Sequence, residues 1–453
     1  MTTTEAVTSR RARLARVWRS GPLGVPGFRL LTAGQFASTV GDYCYAVALP
    51  WLVLSGGGSA ASLGIVLACY GIPRALLTLA GGSLADRFGP RLVMLASDAA
   101  RCGLTAVFAV LAAEHVSSLA ALAPIAAALG ACSALFMPAS MTIMPALIDE
   151  SRLTSANALY TTVVQIGSML GPVLGGVLVA TAGPTSAFAV DAGSFLVSAG
   201  SIALIRGIGG AGAAGAGIAA GAAADEVAVL AGADGEAAVP LGVSPTEAAA
   251  PDEPASVSLW GLLRRSPILQ IILVVSLTAN FAISGTTEVA LPALAHARFG
   301  ADGYGAVLAC FAVTTIAGAL LVARLGDRYR PALVIACSFL LAAAGLAAAP
   351  FLGGLPGTAA GMAVFGLAIG VDQVVSVTLI QRWAPPAMLG RVWGLLILMS
   401  TAAFPVSTFV AGLLTRHLGP TPVFPIAGAM LAAAIAFGLS RRDFREFGAG
   451  ATD

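Results

Sequence analysis

The sequence predicts an all-α integral membrane protein: twelve transmembrane helices in two parallel six-helix repeats. Composition, the length of the apolar runs and one recurring decapeptide carry that reading. Of 453 residues, 58% are hydrophobic and 10% charged, against about 25% charged in a soluble domain. Apolar side chains in that proportion require the bilayer as their solvent. A span needs about 20 predominantly apolar residues to cross roughly 30 Å of hydrocarbon, and runs of that length recur along nearly the whole chain. They are continuous and lack the two-residue alternation of a membrane barrel strand.

Taken in order, the apolar windows place spans near 30–54, 60–84, 92–113, 119–147, 157–181 and 186–206. A second set falls near 267–291, 304–325, 331–352, 358–381, 389–415 and 422–440. The organisation is therefore a basic segment (1–29), a six-helix bundle (30–206), a linker (207–258), a second bundle (259–440) and a tail (441–453). The linker is Ala- and Gly-rich, without aromatic residues. Its charges are acidic throughout: Asp225, Glu226, Asp234, Glu236, Glu247, Asp252 and Glu253. Such composition predicts a flexible cytoplasmic connection.

Every basic residue is Arg, and cytoplasmic loops of membrane proteins are enriched in Arg and Lys. With the N-terminus inside, Arg10, Arg11, Arg13, Arg16, Arg19, Arg29, Arg87, Arg91 and Arg152 fall in the cytoplasm. Arg264, Arg265, Arg328, Arg330, Arg391, Arg441 and Arg442 join them, while Arg298 and Arg416 fall outside. Both termini are thus expected in the cytoplasm, with the chain in a bacterial inner membrane. The apolar run behind the first Arg cluster is too long for the core of a signal peptide, so it should be retained as a span.

Several function classes are disfavoured. The six cysteines lie in apolar runs without a C-x-x-C pair, and His115, His296 and His417 fall in short connections on one side. No metal site or nucleophile–base set can be assembled from these spacings, so an enzyme is not expected. With no Lys there is no phosphate-binding G-x-x-x-x-G-K loop. A net charge of +2 gives no argument for nucleic acid. The expected partners are a small-molecule substrate, protons and the lipid bilayer, with no cofactor and a monomeric working unit.

LADRFGPRLV at 84–93 aligns without a gap with LGDRYRPALV at 325–334, six identities in ten, six spans apart. An even number of spans per repeat preserves topology. The halves are therefore parallel repeats that can rock about a central site. Gly167, Gly171 and Gly175 lie four apart and form a small-residue stripe for close helix packing.

These residues resemble the major facilitator superfamily over nearly the whole chain outside the linker. Gly82, Leu84, Ala85, Asp86, Arg87, Gly89 and Arg91 resemble its loop signature, with Pro90 replacing the usual basic residue. Asp327 and Arg328 repeat that signature in the second half. The resemblance implies that Asp86 caps the positive end of the eleventh span, which opens with Pro385, Pro386, Gly390 and Arg391, and so latches one facing state. Gly167, Gly171, Pro172, Gly175 and Gly176 resemble the fifth-span pattern of the superfamily's antiporters. Finer features resemble the drug:proton antiporters that include macrolide and siderophore exporters: Gly41-Asp42, Pro138-Ala139, Ala156-Asn157, Asp191, Ser194-Phe195 and Gln381. The fourth-span Arg of other drug antiporters is missing, since 119–147 contains none.

Ionisable groups in hydrocarbon cost at least about 2.5–3.5 kcal/mol on insertion scales and usually face the bundle interior. Asp42, Arg74, Asp98, Arg101, Asp191, Glu288 and Asp372 qualify. Asp42, mid-way along the first span, is the leading proton carrier, with Asp372 and Glu288 as further candidates. Asp98 and Arg101, three apart on one helical face, are read as a gating or structural pair. Arg74 either partners a carboxylate or meets an anionic substrate group. Glu288 and Asp191 are placed toward the outer ends of their spans, within reach of water. Gln35, Gln165, Asn280 and Gln373 are candidate cavity residues. The expected function is proton-coupled efflux of amphipathic small molecules by alternating access. The alternatives are a nutrient uptake symporter and a non-transporting membrane sensor.

Overall fold

The computed structural model describes residues 21–205, 266–325, 330–383 and 386–445. The linker expected at 207–258, with Asp327 and Arg328, lies outside the described residues. The first half holds α1 (Pro26–Ser55), α2 (Ala60–Phe88), α3 (Pro90–Ala113), α4 (Leu119–Leu147), α5 (Glu150–Ala182) and α6 (Pro184–Leu204). The second holds α7, running from Pro267–Gly285 through a π-helical turn at Thr286–Ala290 into Leu291–Arg298. After it come α8 (Gly300–Leu325), α9 (Pro331–Ala348), α10 (Gly354–Trp383), α11 (Pro386–Leu418) and α12 (Val423–Ser440).

Helices are the required solution in lipid, because each satisfies its own backbone hydrogen bonds. Among the described residues, eleven helices are long and apolar enough to cross a membrane. The exception is α1, whose 30 residues include Thr32, Gln35, Ser38, Thr39, Asp42, Tyr43 and Tyr45. That polarity follows from its place beside the central cavity. α7 runs on to Arg298 and α11 to Leu418, so His296 and His417 sit in last helical turns rather than in connections.

The repeat is visible in the chain's punctuation. Pro26 and Pro267 open α1 and α7, and Pro90 and Pro331 open α3 and α9, each pair at the spacing that separates Leu84 from Leu325. Proline suits a first helical position, where its missing N–H has no partner to lose. Between α2 and α3 the turn is Gly89 alone, at φ +83°, a conformation that favours glycine. Arg91 then donates through Nη2 to the Ala203 carbonyl at 2.6 Å. This satisfies one of the free carbonyls at the end of α6.

Packing repeats as well. α2 lies on α4 as α8 lies on α10, α1 on α6 as α7 on α12, and α3 on α6 as α9 on α12. Small residues make this possible: Gly130 meets the Tyr70 carbonyl, and Gly370 the Thr315 carbonyl. Two main seams join the halves, α2 with α11 and α5 with α8, and the repeat exchanges them; α1 also touches the end of α7.

The buried apolar clusters show where the halves meet. One cluster crosses both, joining Leu49, Leu63, Val179 and Phe188 to Leu291, Val307, Phe365 and Phe424. It lies toward the end that holds Ser55, Ala60 and Ala182. Toward the opposite end the clusters belong to single halves: Leu31, Met94, Ile143 and Ile202 in the first, Ile271, Val375 and Leu379 in the second. The described residues therefore share a core at one end only.

Candidate functional site

Above that shared core lies a cavity of about 320 Å³. α1 contributes Gln35, Asp42, Tyr43 and Tyr45; α2 contributes Tyr70 and Arg74; α3 contributes Arg101. Ser133, Phe136, Met137 and Ser140 come from α4, Tyr160 from α5 and Asp191 from α6. The second half supplies Glu288 from α7 and Phe404 from α11.

The glycine stripe of α5 is what brings α1 to the cavity. A Cβ on Gly167 would lie 3.1 Å from that of Thr39, one on Gly171 2.5 Å from that of Tyr43, and one on Gly175 2.9 Å from the Cys44 Cα. The two helices touch along this line, and Cys44 donates its thiol to the Gly171 carbonyl at 3.5 Å. The fourth glycine has a different neighbour. A Cβ on Gly176 would stand 2.6 Å from the Cα of Gly305 in α8, so Gly176 belongs to the seam between halves.

α1 is equally close to α6. A Cβ on Gly41 would meet Ser194 Oγ and lie 2.6 Å from Asp191 Oδ1. Asp191 is 1% exposed, while Asp42 beside it is open to the cavity. The expectation that Glu288 lies near the outer end of its span needs correction, because α7 extends to Arg298 and ten more helical residues follow it. Glu288 is half-buried in the cavity wall, where Asp191 also stands, almost fully covered.

Arg101 forms an ion pair with Asp98. Its guanidinium also lies 4.3 Å from the Phe136 ring centroid and 4.4 Å from that of Phe195. Both charges are buried, Asp98 at 0% and Arg101 at 4% exposure. Arg74 donates instead to the Tyr70 hydroxyl at 3.5 Å, and it lies outside ion-pair distance of Asp42.

Other sequence candidates fall elsewhere. Asn280 donates to the Ser276 carbonyl at 2.9 Å and accepts from Ser400 Oγ at 2.8 Å, which ties α7 to α11. Gln165 and Gln373 are exposed and absent from the cavity wall. Asp372 accepts from Ser376 Oγ at 2.9 Å and is likewise not among the lining residues. Arg87 lies over the Phe88 ring at 5.4 Å, while the side chains of Asp86, Gln381 and Arg391 lie outside the described residues.

Sequence reasoning missed the aromatic wall, and it missed the closure at the shared-core end. There Trp51 of α1 meets His296 of α7 edge-on at 5.3 Å and stacks on Tyr304 of α8 at 6.3 Å. The available signal was the clustering of Tyr43, Tyr45 and Trp51 in the most polar span.

Two six-helix halves, closed at one end around a polar mid-bundle cavity, define a membrane transporter that carries a small molecule between them. The family model for the Major Facilitator Superfamily matches residues 31–304 and 289–446, and the chain belongs to that superfamily. It is 29% identical over 415 residues to the multidrug efflux pump Tap of Mycolicibacterium fortuitum, covering 88% of this chain and 91% of the relative. It is 24% identical over 413 residues to the enterobactin exporter EntS of Salmonella typhimurium, covering 89% of each. Among solved structures, a D-xylose–proton symporter superposes with TM-score 0.66 at 15% identity, over 90% of this chain and 96% of that one. The nucleoside transporter NupG gives 0.63 at 12%, over 91% and 98%. These two show the fold. The chain is a multi-pass transporter of the bacterial inner membrane, not an enzyme.

Proposed function

We propose that the chain is a proton-coupled exporter of amphipathic small molecules working by alternating access. The observation that carries this reading is the closed-ended cavity, with Asp42 open to it and Asp191 packed directly behind. A carboxylate that changes protonation at mid-depth can favour one facing state, and substrate the other. Asp42 is assigned the proton, Asp191 modulates it through its proximity, and Arg74, which meets only the neutral Tyr70, supplies the fixed positive charge in the same wall.

Both termini are assigned to the cytoplasm on the arginine distribution. The shared core then faces outward and the cavity is directed inward. Gly82, Asp86 and Arg87 near the end of α2, Gly89 in the turn and Arg91 at the start of α3 form the gating motif at the cytoplasmic face, with Asp327 and Arg328 as its counterpart in the second-half sequence. Outward direction is supported by the two exporters to which the chain is similar over most of its length, and by the α5 glycine pattern.

Reconstitution into proteoliposomes under an imposed pH gradient tests the reading. Gradient-driven substrate movement should collapse with a protonophore. Movement that ignores the gradient would overturn proton coupling, and accumulation by intact cells would reverse the direction.

A further inference from the structure

α7 interrupts its α-helical ladder with a single π turn, Thr286–Ala290, and Glu288 is its middle residue. Such turns are rare and concentrate at functional sites. This one is braced. Gly285, just before it, packs on α11, where a Cβ would lie 2.7 Å from both the Ala411 Cβ and Ser407 Oγ. Thr286 and Thr287 return their hydroxyls to the carbonyls of Ala282 and Ile283 at 2.8 and 3.0 Å. A π turn holds one residue more than an α turn, which rotates the side chains that follow by about 100°. Here it accompanies the placement of a carboxylate in the cavity wall.

Glu288 is half-buried and has no hydrogen bond or ion pair among the described residues. It is also the charged group that the second half brings to the cavity. Of the neighbouring cations, Arg101 is paired with Asp98 and lies against two phenyl rings, whereas Arg74 meets only the neutral Tyr70 hydroxyl and ring and keeps its single positive charge. Asp42, Asp191 and Glu288 therefore outnumber the positive charge left to balance them. Aromatic rings surround this acidic space, among them Tyr43, Tyr70, Phe136 and Phe404. The Tyr45 hydroxyl is buried without a partner in the same wall. Aromatic faces attract cations, and the volume matches the lower range of small-molecule sites, roughly 300–1,000 Å³.

We infer that the cavity selects amphipathic organic cations, with Glu288 as the charge-selecting residue and the surrounding rings taking the apolar body. The inference rests on the cavity being the transport site. It gives Glu288 to the substrate rather than to the proton.

The test is equilibrium binding of tetraphenylphosphonium and tetraphenylborate, alike in shape and opposite in charge, to the full chain in lipid nanodiscs, corrected for empty nanodiscs. The phosphonium should bind at least about tenfold tighter than the borate. Glu288→Gln should weaken it about tenfold or more, and Glu288→Asp at least about threefold, while Asp372→Asn leaves it unchanged. Equal binding of the two probes, or unchanged phosphonium affinity in Glu288→Gln, would overturn the inference. Should Glu288→Gln melt early, Glu288→Asp decides by the same criterion. The two readings fail separately: wild-type proteoliposomes that move neutral or anionic compounds, with no phosphonium preference in binding, would sink charge selection and leave export standing, while accumulation by intact cells with the phosphonium preference retained would sink export alone.

Discussion

Gly176 of α5 and Gly305 of α8 meet backbone to backbone, so close that a Cβ on either would lie within 3 Å of the other's Cα, 2.6 Å in one direction and 2.9 Å in the other. They come from different halves and sit in the seam that closes one end of the transporter. No flexible side chain lies between them to give way.

Gly176→Ala and Gly305→Ala should each disfavour the closed seam by about 1–3 kcal/mol, the usual cost of overpacking. Spin-label distances across α5 and α8 should lengthen and transport should fall. The double variant should cost less than the sum, because the first Cβ already parts the helices. Additive losses would mean the contact is incidental.

Trp51→Ala should loosen the same end by removing the ring that His296 and Tyr304 rest against. A single cysteine placed at Ser133 in a cysteine-free background (S133C) should then react faster with an impermeant maleimide from the shared-core side. Unchanged labelling would show that the glycine seam alone closes the cavity.

Arg101→Gln should be strongly destabilising, since removing one member of a buried ion pair costs about 3–5 kcal/mol and Asp98 would be stranded at 0% exposure. The Asp98→Asn/Arg101→Gln double variant should melt nearer the wild type than Arg101→Gln alone. Detergent melting curves check this. A double variant as unstable as the single one would point to the Phe136 and Phe195 stacking instead.

Asp42→Asn should abolish gradient-driven transport while leaving substrate counterflow at equal pH intact. Loss of both would make Asp42 a substrate or folding residue.

Asn280→Ala should behave as a packing change. It removes the link to Ser400 at a cost of about 0.6 kcal/mol, at most about 1.7, by measured interhelical bonds in membranes. Substrate binding in nanodiscs should be unchanged. A tenfold loss of affinity would return Asn280 to the cavity.

Much of the architecture is readable in one dimension. An apolar run long enough to span is a local property, and in lipid each helix satisfies its own backbone. The positions of α2 to α12 therefore follow from composition, and the Leu84/Leu325 decapeptides align the halves before any contact is known. The α5 stripe is equally legible, because residues four apart share a helical face. Asp98 and Arg101, three apart, pair for the same reason.

What the chain order leaves open is the direction in which each helix face points. Lipid and core are both apolar, so a cavity-facing Tyr43 or Phe136 reads like its lipid-facing neighbours. Gln373 and Gln165 read like Gln35, yet only Gln35 of the three is in the cavity wall. The π turn under Glu288 lies beside the point where Gly285 packs on α11, and Trp51 finds Tyr304 far along the chain. These relationships arise when two halves fold against each other. A charge-bearing cavity exists only where faces from both converge.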